Sequence, residues 1–168
     1  MKRIVLVTVA TLFFATAGIA QSQTEAKNFF LNAELSGLKA SFTPAPFSLG
    51  VNAGGGYFLI DNLALRAQAG VGFTAGQDGG DSNINVNFGV GGRYYLHGFF
   101  LDALFQGANI GRNEHGEKQL EVGIQGALGY AIFLNDHVAF EPALTLGKFF
   151  IEGSDFNVGL NAAFSIYF

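Results

Sequence analysis

Beyond Lys27 the chain alternates. Large apolar side chains fall on every second position over eight stretches, at 28–38, 47–59, 63–75, 83–95, 99–109, 119–132, 138–148 and 156–168. A period of two marks a β-strand, whose successive side chains point to opposite faces. The third stretch sets Leu63, Leu65, Ala67, Ala69, Val71 and Phe73 against Arg66, Gln68, Gly70, Gly72 and Thr74. The last sets Phe156, Val158, Leu160, Ala162, Phe164, Ile166 and Phe168 against Asn157, Gly159, Asn161, Ala163 and Ser165. No later window of helical length carries a 3.6-residue period. The pattern predicts an all-β chain.

The next question is which face points inward. The apolar faces of the second, third, fourth, sixth and eighth stretches carry no charge. Were they the interior, the exterior would be mostly Gly, Ala, Asn and Ser, whereas soluble surfaces are about a quarter to a third charged. A small barrel also has room inside only for side chains or one small ligand. The inverse arrangement fits: apolar face to lipid, small and polar face to a lumen. A sheet in lipid must close on itself, because an open edge leaves backbone groups unsatisfied. We therefore expect an eight-stranded antiparallel up-and-down transmembrane β-barrel.

Tight turns are expected near Ile60-Asp61-Asn62, Leu96-His97-Gly98 and Asn135-Asp136-His137, since Asn and Asp tolerate left-handed backbone and bond to their own chain. Two of them sit in a weak repeat, Phe58 to Arg66 against Phe133 to Glu141. These short turns are expected to face the periplasm. The opposite connectors, 39–46, 76–82, 110–118 and 149–155, are expected outside the cell and are the place for any unknown extracellular ligand. Tyr57, Tyr94, Tyr130 and Tyr167 lie beside the short turns or at the C-terminus, and we expect them to form a periplasmic aromatic girdle. Phe42, Phe47, Phe73, Phe149 and Phe156 are candidates for an outer one.

The N-terminus breaks the alternation. Lys2 and Arg3 precede an apolar run from Ile4 to Ala17, followed by Gly18 and Ala20 at the spacing of a small-residue cleavage site. This predicts an exported protein with a signal peptide at 1–20 and a barrel domain at 21–168. Composition then narrows the classes. The chain is 49% hydrophobic and only 13% charged, which excludes a disordered chain. It has no Cys, so there is no disulfide scaffold or thiolate metal site. A net charge of −4 argues against a nucleic-acid partner.

With these features in place, the chain resembles the small outer-membrane β-barrel proteins of Gram-negative bacteria, the OmpA/OmpX-like, porin-like group. The resemblance rests on the leader, the eight alternating segments, Gly89-Val90-Gly91-Gly92-Arg93-Tyr94-Tyr95, the Phe133-Leu134-Asn135-Asp136 turn and the ending Phe164-Ser165-Ile166-Tyr167-Phe168. It implies residence in the outer membrane in contact with its lipid, as a monomer. It also implies that Phe164, Ile166 and Phe168 resemble the signal read by the barrel-assembly machinery. It implies no single activity.

Candidate chemistry is sparse. The inward parity places Glu34, Arg66, Arg93, Asp102, Glu121 and Glu141 in the lumen, and we expect the two arginines to bridge the four carboxylates. The favoured reading is a structural plug. The sharper reading is a gate or narrow conduit, motivated by the inner-face pairs Gly54/Gly56, Gly70/Gly72 and Gly89/Gly91. Gly-x-Gly within a strand has no following helix to receive a phosphate, so no nucleotide cofactor is expected. His97 and His137 fall at turns and His115 in a connector. None shares a strand face with a Ser, so no catalytic set is expected. Glu114 and Glu117 beside His115, and Asp78 with Asp81, read as solvated loop charge rather than as metal ligands. The expected function is a structural or surface-interaction role. The alternatives are a passive conduit for small solutes or lipophiles, and a secreted lipocalin-like carrier.

Overall fold

A computed structural model of the protein describes residues 23–38, 48–75, 83–112, 118–150 and 156–168. The leader at 1–20, the connector residues Pro44, Pro46, Asp78, Asp81, Glu114, His115, Glu117, Glu152 and Asp155, and the outer-girdle candidates Phe42 and Phe47 lie outside the described residues. Eight strands form one sheet: β1 Phe29–Leu38, β2 Ser48–Ile60, β3 Leu63–Thr74, β4 Asn83–Leu96, β5 Phe99–Arg112, β6 Lys118–Tyr130, β7 Val138–Phe149 and β8 Asn157–Tyr167. After a break at Ala131, Ile132–Phe133 continues β6 as a short rung against β7. Every neighbour is antiparallel, and β8 pairs with β1 to close the ring.

The stagger of this closure follows from the register. Phe30 pairs with Gly56, and the ladder runs on through Arg66, Gly91, Leu104, Gln125 and Gly147 to Asn157. Phe30 itself pairs across the seam with Tyr167, ten residues further along β8. At a rise of about 3.3 Å per residue and a strand spacing near 4.8 Å, that shift tilts eight strands by roughly 40° to the barrel axis.

One end of the cylinder carries the tight turns. His97 (φ 50°) and Gly98 (φ 87°) form a two-residue loop with positive φ at both positions, the geometry of a type I′ hairpin. Asn62 (φ 66°) makes the left-handed step between β2 and β3. In the β6–β7 turn, Asn135 Oδ1 accepts hydrogen bonds from the backbone N–H of His137 and Val138, both at 2.9 Å. The chain before β1 folds across the same end. Asn62 N donates to Thr24 O at 2.7 Å, and Ala26 N to the Asp61 carboxylate at 2.9 Å. The strand ends that flank the four longer connectors all lie at the other end.

The faces divide as the alternation predicts. Leu65 is 52% exposed on the outside of β3, whereas its neighbours Ala64 and Arg66 are almost fully buried. Phe88, Leu101, Ile124 and Phe164 point outward from four other strands. Arg66, Arg93, Asp102 and Glu141 are buried inside. The hydrophobic core proper is small: Phe30, Phe58, Tyr95, Phe100, Phe133 and Tyr167, with Ala64, Ala131 and Ala139, form one cluster at the turn end.

Candidate functional site

The lumen has three levels. At the turn end lies the aromatic cluster. Adjacent aromatic pairs build it, because consecutive strand residues face opposite ways. Phe29/Phe30, Tyr57/Phe58, Tyr94/Tyr95, Phe99/Phe100 and Phe168/Tyr167 each send one ring outward and one inward. The inner rings interlock: Phe30 with Tyr167 at 5.5 Å between centroids, Phe58 with Tyr95 at 5.6 Å, and Tyr95 with Phe100 at 5.9 Å. This arrangement corrects the girdle expected from the sequence. Tyr57 and Tyr94 do point outward. Tyr167 is fully buried in the lumen, on the polar parity of β8. Tyr130 lies down over Gly98 and edge-on to Phe99, with centroids 4.7 Å apart, and is buried as well. The outward rings at this end are completed by Phe29, Phe99 and Phe168 instead.

Above the rings sits the ionic level, with Arg93 as its hub. Arg93 donates from Nε and Nη2 to the two oxygens of Asp102, both at 2.8 Å, and from Nη1 to Glu141 Oε2 at 2.6 Å. Its guanidinium lies over the rings of Phe100 at 4.0 Å and Phe30 at 5.3 Å. A closed circuit ties it to the rings below. Arg93 Nη1 donates to the Tyr95 hydroxyl at 3.1 Å, and Tyr95 lies 2.8 Å from the Tyr167 hydroxyl. Tyr167 donates in turn to Glu141 Oε1, so its oxygen is left to accept from Tyr95. Arg66 forms the second arm. It bonds to Asp102, to Glu34 at 3.4 Å and to Gln68 Oε1 at 2.8 Å. Glu34 Oε1 also accepts from Asn52 and Asn161, each at 3.0 Å. Arg66 and Glu141 hold matching places in the repeated turns, and they connect through Asp102 and Arg93 rather than directly.

Five of the six luminal charges named from the sequence thus meet. Glu121 does not. It pairs with Ala108, six residues along β5 from Asp102, so the register carries it to the loop end. Among the described residues it joins no ion pair, and the arginines bridge three carboxylates, not four.

The inner glycines also play a different part from the one expected. They do not leave a bore, because neighbouring side chains fill the space. A Cβ on Gly54 would stand 2.9 Å from Asn32 Oδ1, one on Gly72 would stand 2.5 Å from Asn85 Oδ1, and one on Gly56 would strike the Phe30 ring. Gly54, Gly56 and Gly72 each seat a side chain of the next strand, whereas Gly91 lies against the Ala103 backbone and Gly89 has only ordinary contacts.

The third level is a cup of about 390 Å³ opening at the loop end, with amide-bearing walls of Asn52, Gln68, Asn85, Asn87, Gln106 and Gln125. Glu34 and Asn161 lie at its floor. Below that floor the space among Arg66, Arg93, Asp102 and Glu141 shrinks to about 10 Å³, room for a single water at most. The lumen is therefore a blind cup. The residues of the expected assembly signal, Phe164, Ile166 and Phe168, all point outward beside the seam, where Phe168 stacks on Phe29 at 4.7 Å. Phe29 and Phe168 also exchange backbone hydrogen bonds, of 3.2 and 2.9 Å.

The inner aromatics are the part of the site that parity alone misses. Their signal in the sequence is the paired aromatics beside the first two short turns, at the start of β1 and at the C-terminus.

No protein-family model matches the chain, and no curated protein does. Solved structures do. The N-terminal β-barrel domain of Pseudomonas aeruginosa OprF superposes with a TM-score of 0.58 at 13% identity, over 84% of this chain and 98% of that one. The Yersinia pestis outer membrane protein Ail, in a phospholipid bilayer nanodisc, gives 0.55 at 11% identity over 83% and 99%. Neisserial surface protein A gives 0.53 at 14% identity over 83% and 97%. The chain has the closed eight-stranded fold of the small outer-membrane β-barrels.

Proposed function

We propose that this protein is an integral outer-membrane β-barrel of a Gram-negative bacterium, with a structural or surface-interaction role. One observation carries the reading: the molecule is inside out. Large apolar side chains cover the outer face of every strand, while two arginines and three carboxylates are enclosed. An apolar exterior of this extent is stable only against lipid, and a closed barrel leaves no strand edge exposed there. A soluble lipocalin-like carrier needs the opposite distribution. The short turns and the aromatic plug then face the periplasm, and the cup opens to the outside. The blind lumen favours the structural or surface role over the conduit. Contact with outer-membrane lipid and insertion by the barrel-assembly machinery belong to this reading, with Phe164, Ile166 and Phe168 as the recognised ending.

Fractionation tests it. The protein is expected in the outer-membrane fraction, extracted only by detergent, and migrating differently on gels before and after boiling. Recovery from the soluble periplasm after osmotic shock refutes the assignment.

A further inference from the structure

The outer face carries one feature that a plain lipid-facing coat does not need. Rows of outward residues run across β5, β6 and β7. Phe105, Ile124 and Lys148 form one row, and Ala103, Gly126 and Leu146 form the next row toward the turn end. Ala103 and Gly126 are small, so the second row sinks below its neighbours. The result is an external groove of about 450 Å³ walled by Phe105 and Leu146. That lies within the roughly 300–1,000 Å³ of small-molecule sites. At its loop end stand Lys148 and Phe156, with the ammonium 5.0 Å from the ring centroid.

Lys148 is the charged residue of this groove. It carries a charge on the outward parity of β7, directly after the exposed Leu144 and Leu146 of the same face. A cation on a lipid face is costly at depth and favourable only where it meets an anionic headgroup. Lys148 sits one residue from the end of β7, at headgroup level for the leaflet on the loop side. The groove runs from it toward the bilayer centre. A Cβ on Gly126 would meet nothing closer than 3.7 Å, so the depression is open space and not a packing seat like the inner glycines.

We propose that this groove binds one anionic phospholipid, its acyl chain lying over Ala103 and Gly126 and its phosphate at the Lys148 ammonium. The inference rests on the membrane reading above. The acyl chain gains shape complementarity rather than hydrophobic free energy, since lipid tails are as apolar as the groove. Selectivity therefore belongs to Lys148. One cation at a headgroup corresponds to a preference of roughly three- to fivefold for anionic over zwitterionic lipid.

The absence of Trp makes the test direct. Phe105→Trp places a single fluorophore in the groove wall. The variant is reconstituted in phosphatidylcholine vesicles doped with chain-brominated phosphatidylglycerol, or with chain-brominated phosphatidylcholine. The brominated anionic lipid is expected to quench roughly three- to fivefold more effectively at equal mole fraction. Adding Lys148→Gln is expected to equalise the two. Adding Gly126→Leu, which fills the groove, is expected to weaken quenching by the anionic lipid while Lys148 remains. Equal quenching by both lipids with Lys148 present overturns the lipid site and leaves the membrane barrel standing. Quenching by neither, in protein that shows barrel migration on gels, overturns the membrane reading itself.

Discussion

At the scale of single residues, the enclosed charges hold together because almost every polar atom has a partner. Removing the water around an ion costs several kcal/mol, and only dense pairing offsets this. Arg93 meets that demand with two carboxylates, a phenol and two ring faces. The cluster contains one more carboxylate than guanidinium, and the tyrosine circuit delivers a hydroxyl donor to Glu141. Two conservative variants separate these contributions. Tyr167→Phe strips Glu141 Oε1 of its donor and is expected to cost about 2 kcal/mol, in the range for a hydrogen bond to a charged group. Tyr95→Phe leaves Arg93 bonded to both carboxylates and Tyr167 bonded to Glu141, and is expected to cost about 1 kcal/mol. Urea unfolding of the two proteins in the same detergent checks the order, and a reversed order would break the proposed direction of the circuit. Arg93→Leu is expected to cost roughly 3–5 kcal/mol by the same measurement, because it leaves Asp102 and Glu141 facing each other in a closed space. The sequence made this cluster legible through parity alone. It could not exclude Glu121, since parity gives the face of a strand and not the height along it; height comes from the register.

At the scale of elements, alternation located all eight strands and the three tight turns to within a few residues. It worked because each strand separates two unlike solvents, lipid and a polar lumen, so the period of two is under little competition. It failed where both faces want the same residue type. Beside the turns, the outer face wants rings for the interface and the inner face wants rings for the plug, so alternation dissolves into aromatic pairs. The sequence places Tyr167 in the outward girdle for that reason, whereas Phe168 next to it takes the outward place. The repeat fared better than its length suggests. Phe58 and Phe133, Ala64 and Ala139, and Arg66 and Glu141 are matched positions, and each pair is buried at the turn-end core or the ionic level. Glycine shows how two elements can use one residue oppositely. On β3, a Cβ at Gly70 would stand 2.5 Å from the Val51 carbonyl oxygen as well as against Asn52. Gly70→Ala must push β2 from β3 and is expected to lower stability by about 1–3 kcal/mol. Gly126→Ala on β6 meets only ordinary contacts and is expected to be neutral or to gain up to about 1 kcal/mol, since glycine weakens a strand interior. Denaturant midpoints of the pair decide this. Equal losses would mean that inner and outer glycines play the same role.

At the scale of the whole molecule, the question is whether anything passes through. A barrel with eight strands and a shift of ten has a fixed, narrow bore, and the sequence fills its turn half twice over. The aromatic cluster blocks it sterically, and the ionic level leaves about 10 Å³ among Arg66, Arg93, Asp102 and Glu141. A solute crossing would have to separate Arg93 from Asp102 and Glu141 while the guanidinium stays trapped between Phe30 and Phe100. Opening would therefore expose several unpaired charges at once, and each costs several kcal/mol in a confined space. Among the described residues no new partner within the lumen compensates, because Glu121 and the amides of the cup lie on the far side of Glu34. The barrel is expected to be electrically silent in planar bilayers, with no stepwise current above the lipid background. Widening the floor should change this only when both barriers go. Phe100→Ala alone leaves the ion pairs closed and is expected to stay silent. Phe100→Ala combined with Arg93→Gly removes the hub as well as a ring, and is expected to conduct cations over anions, because Asp102, Glu141 and Glu34 then outnumber Arg66. Stepwise openings in the unmodified protein would show that the hub separates on its own, and would replace a sealed cup by a gated conduit.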